Sequence, residues 1–189
     1  MIDIIDFSKN FNGLTIPPGL VMLLDFQNNI AKDEFYSAGF ELTVDEDKVG
    51  LKTYSEDVDF LNAILEFADA DGMGSTYGFW LRHNTKNLEE APIVIFGGEG
   101  GFHIVASNIL ELFQILTYDV EPMVGWDEVY FYKDEDDFEA SEQSESFKRW
   151  LYDNFKINET NNADSIVKVA QKKYQEEFKD WMKNYNDEE

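Results

Sequence analysis

The sequence contains no cysteine and has few of several other residues that carry chemistry. Of its 189 residues, four are proline, two are histidine and 15 are lysine or arginine, against 39 aspartates and glutamates. Without cysteine the chain cannot form disulfides, thiolate nucleophiles, iron–sulfur clusters or cysteine-ligated zinc sites. Nucleic acid is not an expected partner of a chain with a net charge of −24, because phosphate contacts need lysine and arginine.

Long hydrophobic runs are also missing. The longest apolar run lies at 20–24 and is far too short to span a membrane. The first ten residues, MIDIIDFSKN, lack the basic and apolar regions of a secretory signal peptide. We therefore expect a cytoplasmic protein without membrane contact, and the absence of cysteine is compatible with a reducing compartment.

Aromatic and acidic residues are abundant instead. The 16 phenylalanines, nine tyrosines and four tryptophans can build a core, so a chain of this length needs no metal or disulfide to fold. The acids are distributed unevenly: 30 of them lie in residues 1–145 with seven bases, and nine follow with eight bases. The densest stretch, 119–145, has eleven acids and the single base Lys133.

Hydrophobic periodicity predicts an α+β fold, with a central antiparallel or mixed sheet, flanking helices and a C-terminal helical extension. Short apolar segments bounded by turn residues predict strands near 62–68, 76–82, 92–97 and 102–106. A helix capped by Asn108 should follow over 108–117 and lie on the sheet.

Weaker patterns complete the prediction. Further strands are expected at 39–44, 49–54 and 129–132, and further helices after Pro17–Pro18, around 147–155 and over 166–185. We divide the chain into an α+β domain, 1–145, and C-terminal helices, 146–189, that pack on it. The aromatic stripe of the last helix fits either a core face or a dimer face.

The stretch DADGMG at 69–74 looks like the start of a calcium loop. A calcium loop needs oxygen ligands at its fifth and twelfth positions, where this chain has Met73 and Trp80. We therefore predict a turn between two strands, in which aspartate and glycine tolerate the required backbone angles. No bound metal is expected.

Two further motifs also favour a structural interpretation. The stretch GGEGG at 97–101 is followed by a strand-like segment and no lysine, so it predicts a hairpin turn and not a phosphate-binding loop. His83 and His103 lie outside any metal-binding or nucleophile motif and are expected to be surface or half-buried residues. We expect no catalytic residue and no cofactor.

Three stretches, in their order and spacing, resemble the SUKH superfamily, which comprises the fungal glucan-synthesis-regulator family and its bacterial relatives. They are IPPGLVMLLDFQNNI, FLNAILEFADADGMGSTYGFWL and APIVIFGGEGGFHIVASNILELFQIL, within 14–117. The family's NGG after the first helix is replaced here by Asn28, Asn29 and Ile30, and the tail from Tyr118 has no counterpart. The resemblance implies an α+β fold without catalytic residues, in which the glycine-rich acidic turn joins two strands.

The resemblance also implies a function, because bacterial members are similar to immunity proteins that bind and block a toxin, often a nuclease. We expect an immunity-type protein whose acids meet the basic cleft of such a toxin. The expected contact residues are the acids Asp134, Glu135, Asp136, Asp137 and Glu139 and the aromatics Trp126, Tyr130 and Tyr132.

Two alternatives stay open. The fungal branch of the family implies a non-catalytic scaffold or regulatory protein. A hydrolase that uses acidic residues would need two carboxyl groups with raised pKa values in a cleft.

Overall fold

A sheet of five antiparallel strands, in the order β1–β2–β3–β4–β5, lies at the centre of the protein. The computed structural model of the chain describes residues 1–186. The strands are β1 (Glu41–Leu42), β2 (Ile64–Asp69), β3 (Thr76–Trp80), β4 (Ile93–Phe96) and β5 (Phe102–Ala106). Strands that are adjacent in the sheet are consecutive in the chain. The antiparallel sheet confirms the predicted α+β fold and its four main strands, β2 to β5.

Seven α-helices and a small hairpin surround this sheet in the part of the chain described. The helices are α1 (Ile4–Ser8), α2 (Pro18–Phe26), α3 (Val49–Lys52), α4 (Val58–Ala63), α5 (Ile109–Leu116), α6 (Ser144–Phe155) and α7 (Ala163–Met182). The hairpin pairs β6 (Met123–Val124) with β7 (Val129–Tyr130). Short turns of 3-10 helix cover Lys9–Phe11 and Arg82–Asn84, and a π-helix, Gln27–Ala31, continues α2.

Both faces of the sheet are buried. Along β4, Ile93 and Ile95 join one hydrophobic core, and Val94 and Phe96 join a second core on the opposite face. This alternation follows from the two-residue period of a strand. Helices α1, α2, α5 and α6 cover the first face, and α3, α4 and α7 cover the second.

Helix α7 contributes to both cores. Ala163 and Val167 near its beginning belong to the first core, and Ala170 and Phe178 belong to the second. Beside the edge strand β5, the Gln175 side chain accepts a hydrogen bond from the Ile104 N–H at 2.8 Å. The aromatic stripe of α7 is therefore a core face, and the helix covers an edge that could otherwise pair with another chain.

A glutamine also closes the other edge. At β1, Gln27 Nε2 donates to the Leu42 carbonyl at 3.1 Å, and its Oε1 accepts from the Leu42 N–H at 2.8 Å. The same Oε1 accepts from the Tyr36 hydroxyl at 2.9 Å. Gln27 thus takes the place of a neighbouring strand.

The expected strand at 49–54 is wrong, because Val49–Lys52 is the short helix α3. The left-handed Lys48 precedes it, and the Lys52 N–H donates to the Lys48 carbonyl at 3.0 Å. Leu51 and Tyr54, three residues apart, both face the second core. A spacing of three suits one turn of helix, so tertiary packing overrides a weak alternating pattern.

Other strand boundaries are shorter than expected. Residues 62–63 end α4, whose first turn is capped by Asp57, and residue 82 begins the 3-10 turn. The expected strand at 39–44 keeps only Glu41–Leu42, because Asn10 binds the Thr43 carbonyl and the Asp45 N–H instead of leaving them to a strand partner. The expected strand at 129–132 keeps Val129–Tyr130.

Both glycine-containing stretches are turns, as predicted. In the first, Asp71 Oδ1 accepts from the backbone N–H groups of Met73 and Ser75 at 2.8 and 2.9 Å. In the second, the Gly97 N–H donates to the Gly101 carbonyl at 2.9 Å. The Gly98 N–H reaches Ser75 Oγ at 3.2 Å, so both turns lie at the same end of the sheet.

Candidate protein-interaction surface

The β6–β7 hairpin carries the aromatic residues expected to contact a partner. Met123 pairs with Tyr130 and Val124 with Val129, and the Gly125 N–H closes the loop on the Glu128 carbonyl at 2.9 Å. The period of a strand places alternate residues on opposite faces. Val129 and Phe131 point inward and are buried, which directs Tyr130 and Tyr132 outward.

All three predicted aromatics are exposed. The exposed fraction is 59% for Trp126, 40% for Tyr130 and 67% for Tyr132, and the neighbouring Met123 is also exposed. Aromatic side chains with this much free surface are typical of positions that bind a protein partner. We call Met123, Trp126, Tyr130 and Tyr132 the aromatic patch.

The hairpin is attached firmly to the rest of the protein. The Phe131 N–H donates to Asp164 Oδ1 at the start of α7 at 2.9 Å, and the His103 ring nitrogen Nε2 lies 2.7 Å from the Gly125 carbonyl oxygen. The Trp126 indole lies on Gly100, where a Cβ atom would come within 2.2 Å of the ring. The aromatic patch is therefore presented by a fixed scaffold.

His103 is an exception to the expectation of a surface or half-buried residue. It is buried, and burial lowers the pKa of its imidazole even though the bond to Gly125 acts in the opposite direction. It lies on the face of β5 opposite to Phe102 and Ile104, and the hairpin covers that face. His83 is exposed, as expected, and its Nε2 lies 3.1 Å from Glu177 Oε1.

The predicted acids form a turn that follows the aromatic patch directly. The Asp134 side chain accepts from the Asp136 N–H at 3.1 Å, and its carbonyl accepts from the Asp137 N–H at 3.3 Å. The side chains of five acids are exposed and have no salt bridge among residues 1–186, namely Asp134, Glu135, Asp136, Asp137 and Glu139. We call these five residues the acidic turn.

The one base in this stretch does not neutralise the acidic turn. Lys133 Nζ lies 3.8 Å from the centroid of the Phe138 ring and 4.5 Å from that of Tyr118. Burial lowers the pKa of Lys133, although Asp119 acts to raise it. Its charge is directed at aromatic rings, so the negative field of the acidic turn is left open to solvent.

Two acids of the same dense stretch serve the fold. Asp119 is buried, and its carboxylate accepts from the Ala38 N–H at 2.9 Å and from the Ser141 N–H and hydroxyl at 2.8 and 2.6 Å. Glu121 Oε1 accepts from the Gly72 N–H at 3.2 Å. It also fills the space beside Gly39, whose φ of +68° already favours glycine. The stretch at 119–145 is therefore only partly a free acidic surface.

The carboxyl groups with raised pKa values lie elsewhere. Burial raises the pKa of Glu66 to about 7, and burial together with Glu41, Asp45 and Asp71 raises the pKa of Asp69. Glu66 is only 5% exposed, and it accepts a hydrogen bond from the Thr76 hydroxyl. A substrate cannot reach the carboxyl group of Glu66, whereas Asp69 is only half-buried.

No cluster of three or more histidine, aspartate or glutamate side chains that could hold a metal ion occurs within 1–186. Over the same residues, each helix is too short or too polar to cross a membrane.

Comparisons with protein-family models, with curated proteins and with solved structures found no match. The similarity to the SUKH superfamily accordingly stays a prediction.

One feature that the sequence did not indicate is a cleft at the other end of β3, about 670 Å³ in volume. It lies between α4, the Arg82–Asn84 turn and the end of α7. Its walls come from segments more than 90 residues apart in the chain, so no local pattern could predict it.

Proposed function

We propose that this protein is a non-catalytic binding protein that captures a basic protein partner, and that the partner is a toxin whose activity it blocks. The observation that supports this most directly is the adjacency of the acidic turn and the aromatic patch on one exposed segment. The acids supply a long-range field, and the aromatics supply contact area at short range.

The acidic turn carries an electrostatic cost in the free protein. Like charges packed closely repel one another and destabilise the compact state. The acids of the acidic turn have no salt bridge to a base among residues 1–186, and the nearest lysine is turned toward aromatic rings. A basic partner would relieve that repulsion, and its association would be accelerated by the field.

A nuclease toxin fits these requirements because it must carry a basic cleft for the phosphates of its substrate. An acidic protein with a rigid aromatic patch can occupy such a cleft and exclude the nucleic acid. The similarity to SUKH immunity proteins supports the same proposal. A cytoplasmic location would suit a protein that protects its own cell.

The test begins with capture of the partner from source cells on the immobilised protein. Association rates are then measured for the wild type and for a variant with Asp134→Asn, Glu135→Gln, Asp136→Asn and Asp137→Asn. We expect association to be slower by about tenfold at low salt and by less than about twofold in concentrated salt, because salt screens the field. Dissociation should change little.

A matched control removes the same number of charges from other exposed, unpaired positions. The substitutions Asp33→Asn, Asp47→Asn, Glu89→Gln and Glu90→Gln serve this purpose. If both quadruple variants slow association equally, the net charge matters and the acidic turn has no special role. An unchanged rate in the first variant at every salt concentration would reduce the acidic turn to a solvated surface.

Measuring the activity of the captured partner distinguishes a toxin inhibitor from a scaffold. A toxin partner should lose its nuclease or other toxic activity when an equimolar amount of this protein is added, and Tyr132→Ala should weaken that inhibition through faster dissociation. A partner that binds with full retention of its own activity would favour the scaffold.

A further inference from the structure

The cleft at the far end of β3 has a rigid aromatic wall. Trp181 stacks on Phe60 at a centroid distance of 5.8 Å and on Phe178 at 5.9 Å, with interplanar angles of 23° and 18°. Tyr185 lies 4.9 Å from Trp181. Trp181 and Tyr185 are half-buried, so they are held by the second core and still present part of their surface to the cleft.

The charge of the cleft is negative. Asp59, Glu177 and Asp180 line it, and no lysine or arginine does so among residues 1–186. Glu177 is occupied by Arg82, whose Nε lies 2.7 Å from both carboxylate oxygens. Asp180 pairs only with the exposed Lys183, an interaction of little strength, and Asp59 has no salt bridge within the described chain.

Tyr185 lies in the same negative field. Burial raises the pKa of its hydroxyl, and the carboxylates of Asp57 and Asp59 raise it further. Hydrogen-bonding groups are also free, because the Asn62 and Asn84 side chains line the cleft and make no hydrogen bond within residues 1–186. The volume, about 670 Å³, is typical of a pocket for a small ligand or a few residues of a peptide.

We propose that this cleft binds an arginine side chain of a protein partner, with the guanidinium against Trp181 and Tyr185 and its N–H groups donating to Asp59 and Asp180. Arginine fits better than lysine because its planar, weakly hydrated group both stacks on aromatic rings and donates several hydrogen bonds. A carboxylate ligand would be repelled by the same residues.

The site is separate from the aromatic patch. The hairpin packs on the turn at 97–101, and β3 runs from the neighbouring turn to the cleft at the opposite end of the sheet. The inference therefore does not depend on the proposed function. The cleft would be a second site of contact with a basic protein, separated from the aromatic patch by at least the length of β3.

The test uses the full chain and three blocked tripeptides, acetyl-Gly-X-Gly-amide, in which X is arginine, lysine or citrulline. Citrulline keeps the shape of arginine and removes its charge. Binding is followed through the indole N–H resonances of the four tryptophans. We expect the arginine peptide to shift the Trp181 resonance with a dissociation constant of about 1 mM, lysine to bind several-fold more weakly and citrulline not to bind.

Variants then locate the site. Asp59→Asn and Asp180→Asn should each weaken arginine binding by about threefold to tenfold, since each removes one charged acceptor. Both residues are exposed, so both variants should fold, which unchanged indole signals of Trp126 and Trp150, outside the cleft, would verify. The quadruple variant of the acidic turn is the control and should bind the arginine peptide like the wild type.

Two results would overturn the proposal. One is an unshifted Trp181 resonance at a peptide concentration of about 20 mM, well above the expected dissociation constant. The other is equal binding of the citrulline peptide or of the two aspartate variants. Either result leaves the proposed capture of a basic partner by the hairpin intact, because that test uses the acidic turn.

Discussion

At the scale of single residues, two glutamines complete the edges of the sheet. Gln27 satisfies both backbone groups of Leu42 in β1, and Gln175 accepts from Ile104 in β5. A side-chain amide has the same donor and acceptor as a peptide group, so it can end a sheet without adding a strand. Gln27 begins the π-helix and Gln175 lies in α7, and both side chains are buried.

The substitution Gln27→Leu should therefore be costly. It leaves the Leu42 N–H and carbonyl and the Tyr36 hydroxyl without partners in a buried region, and we expect the free energy of unfolding to fall by about 2–4 kcal/mol. Urea unfolding at neutral pH is the measurement. Gln114→Leu, which removes one exposed hydrogen bond to Asn158, is the control and should cost at most about 0.5 kcal/mol. Equal losses in the two variants would contradict the edge role.

Glu66 makes the stability of the folded protein depend on pH. Burial raises its pKa from an ordinary 4.5 to about 7, so between these values the folded chain holds a proton that the unfolded chain has released. The stability that this proton provides is complete below about pH 4.5 and is lost as the pH rises to about 7. The Thr76 hydroxyl and the charge of Lys48 offset only part of this burial cost, and Lys48 Nζ donates to the carbonyls of Leu61 and Ile64.

Glu66→Gln should remove that dependence. At pH 8 we expect the variant to be more stable than the wild type by up to about 3 kcal/mol, and at about pH 4 the difference should nearly vanish. The measurement is the difference in unfolding free energy between the two proteins at each pH. Glu56→Gln changes an exposed carboxyl and should give the same small difference at both. A Glu66→Gln protein that is less stable at pH 8 would show that the buried carboxylate is needed.

At the scale of elements, the turn at 69–74 uses the Asp71 carboxylate to bind its own backbone. Asp71 accepts from two N–H groups, and the neighbouring Gly72 N–H donates to Glu121. A carboxylate oxygen that already accepts two backbone hydrogen bonds is poorly placed to hold a cation. The turn thus connects two strands and anchors the segment that leads to the hairpin.

We predict that calcium does not bind this turn. Calorimetry with Ca²⁺ up to about 1 mM should give no binding heat, and the melting temperature should stay the same with Ca²⁺ as with a chelator. The prediction would be wrong if a micromolar site appeared and was lost in Asp69→Ala. Asp71→Ala should lower the free energy of unfolding by about 1–3 kcal/mol with or without calcium, because two N–H groups lose their acceptor.

At the scale of the whole molecule, the C-terminal helices belong to the cores. Helix α6 contributes Phe147 and Leu151 to the first core, and α7 contributes to both cores and covers an edge strand. Without α7 the second face of the sheet would be covered only by the short helices α3 and α4. This dependence makes the region before residue 145 incomplete as a packing unit.

A chain that ends at residue 160 should fail to fold. It would expose the second-core side chains of Trp80, Val94 and Phe96, together with Ile104 on the edge strand. We expect loss of cooperative thermal unfolding and strong binding of a dye that reports exposed apolar surface. A chain that ends at residue 186 keeps every described residue and is the control. Cooperative unfolding of the shorter chain would show that residues 1–160 fold without α7.

Residues that are close in sequence determined much of this protein by themselves. The strands β2 to β5 and the helix α5 are visible in the sequence because each has a complete apolar period, and turn residues or a capping asparagine separate them. The exposure of the acidic turn follows equally from local composition, since a run of acids cannot be buried without partners.

Tertiary structure decided the remaining features, because they depend on contacts between distant segments. The Val49–Lys52 segment is helical because this conformation buries Leu51 in the second core, to which α7 also contributes. Asp119 is buried because its carboxylate accepts hydrogen bonds from the Ala38 and Ser141 N–H groups, although it belongs to a stretch rich in acids. The cleft beside Trp181, likewise, exists only where α4, the end of β3 and α7 meet, and tertiary packing, not a local sequence period, brings these segments together.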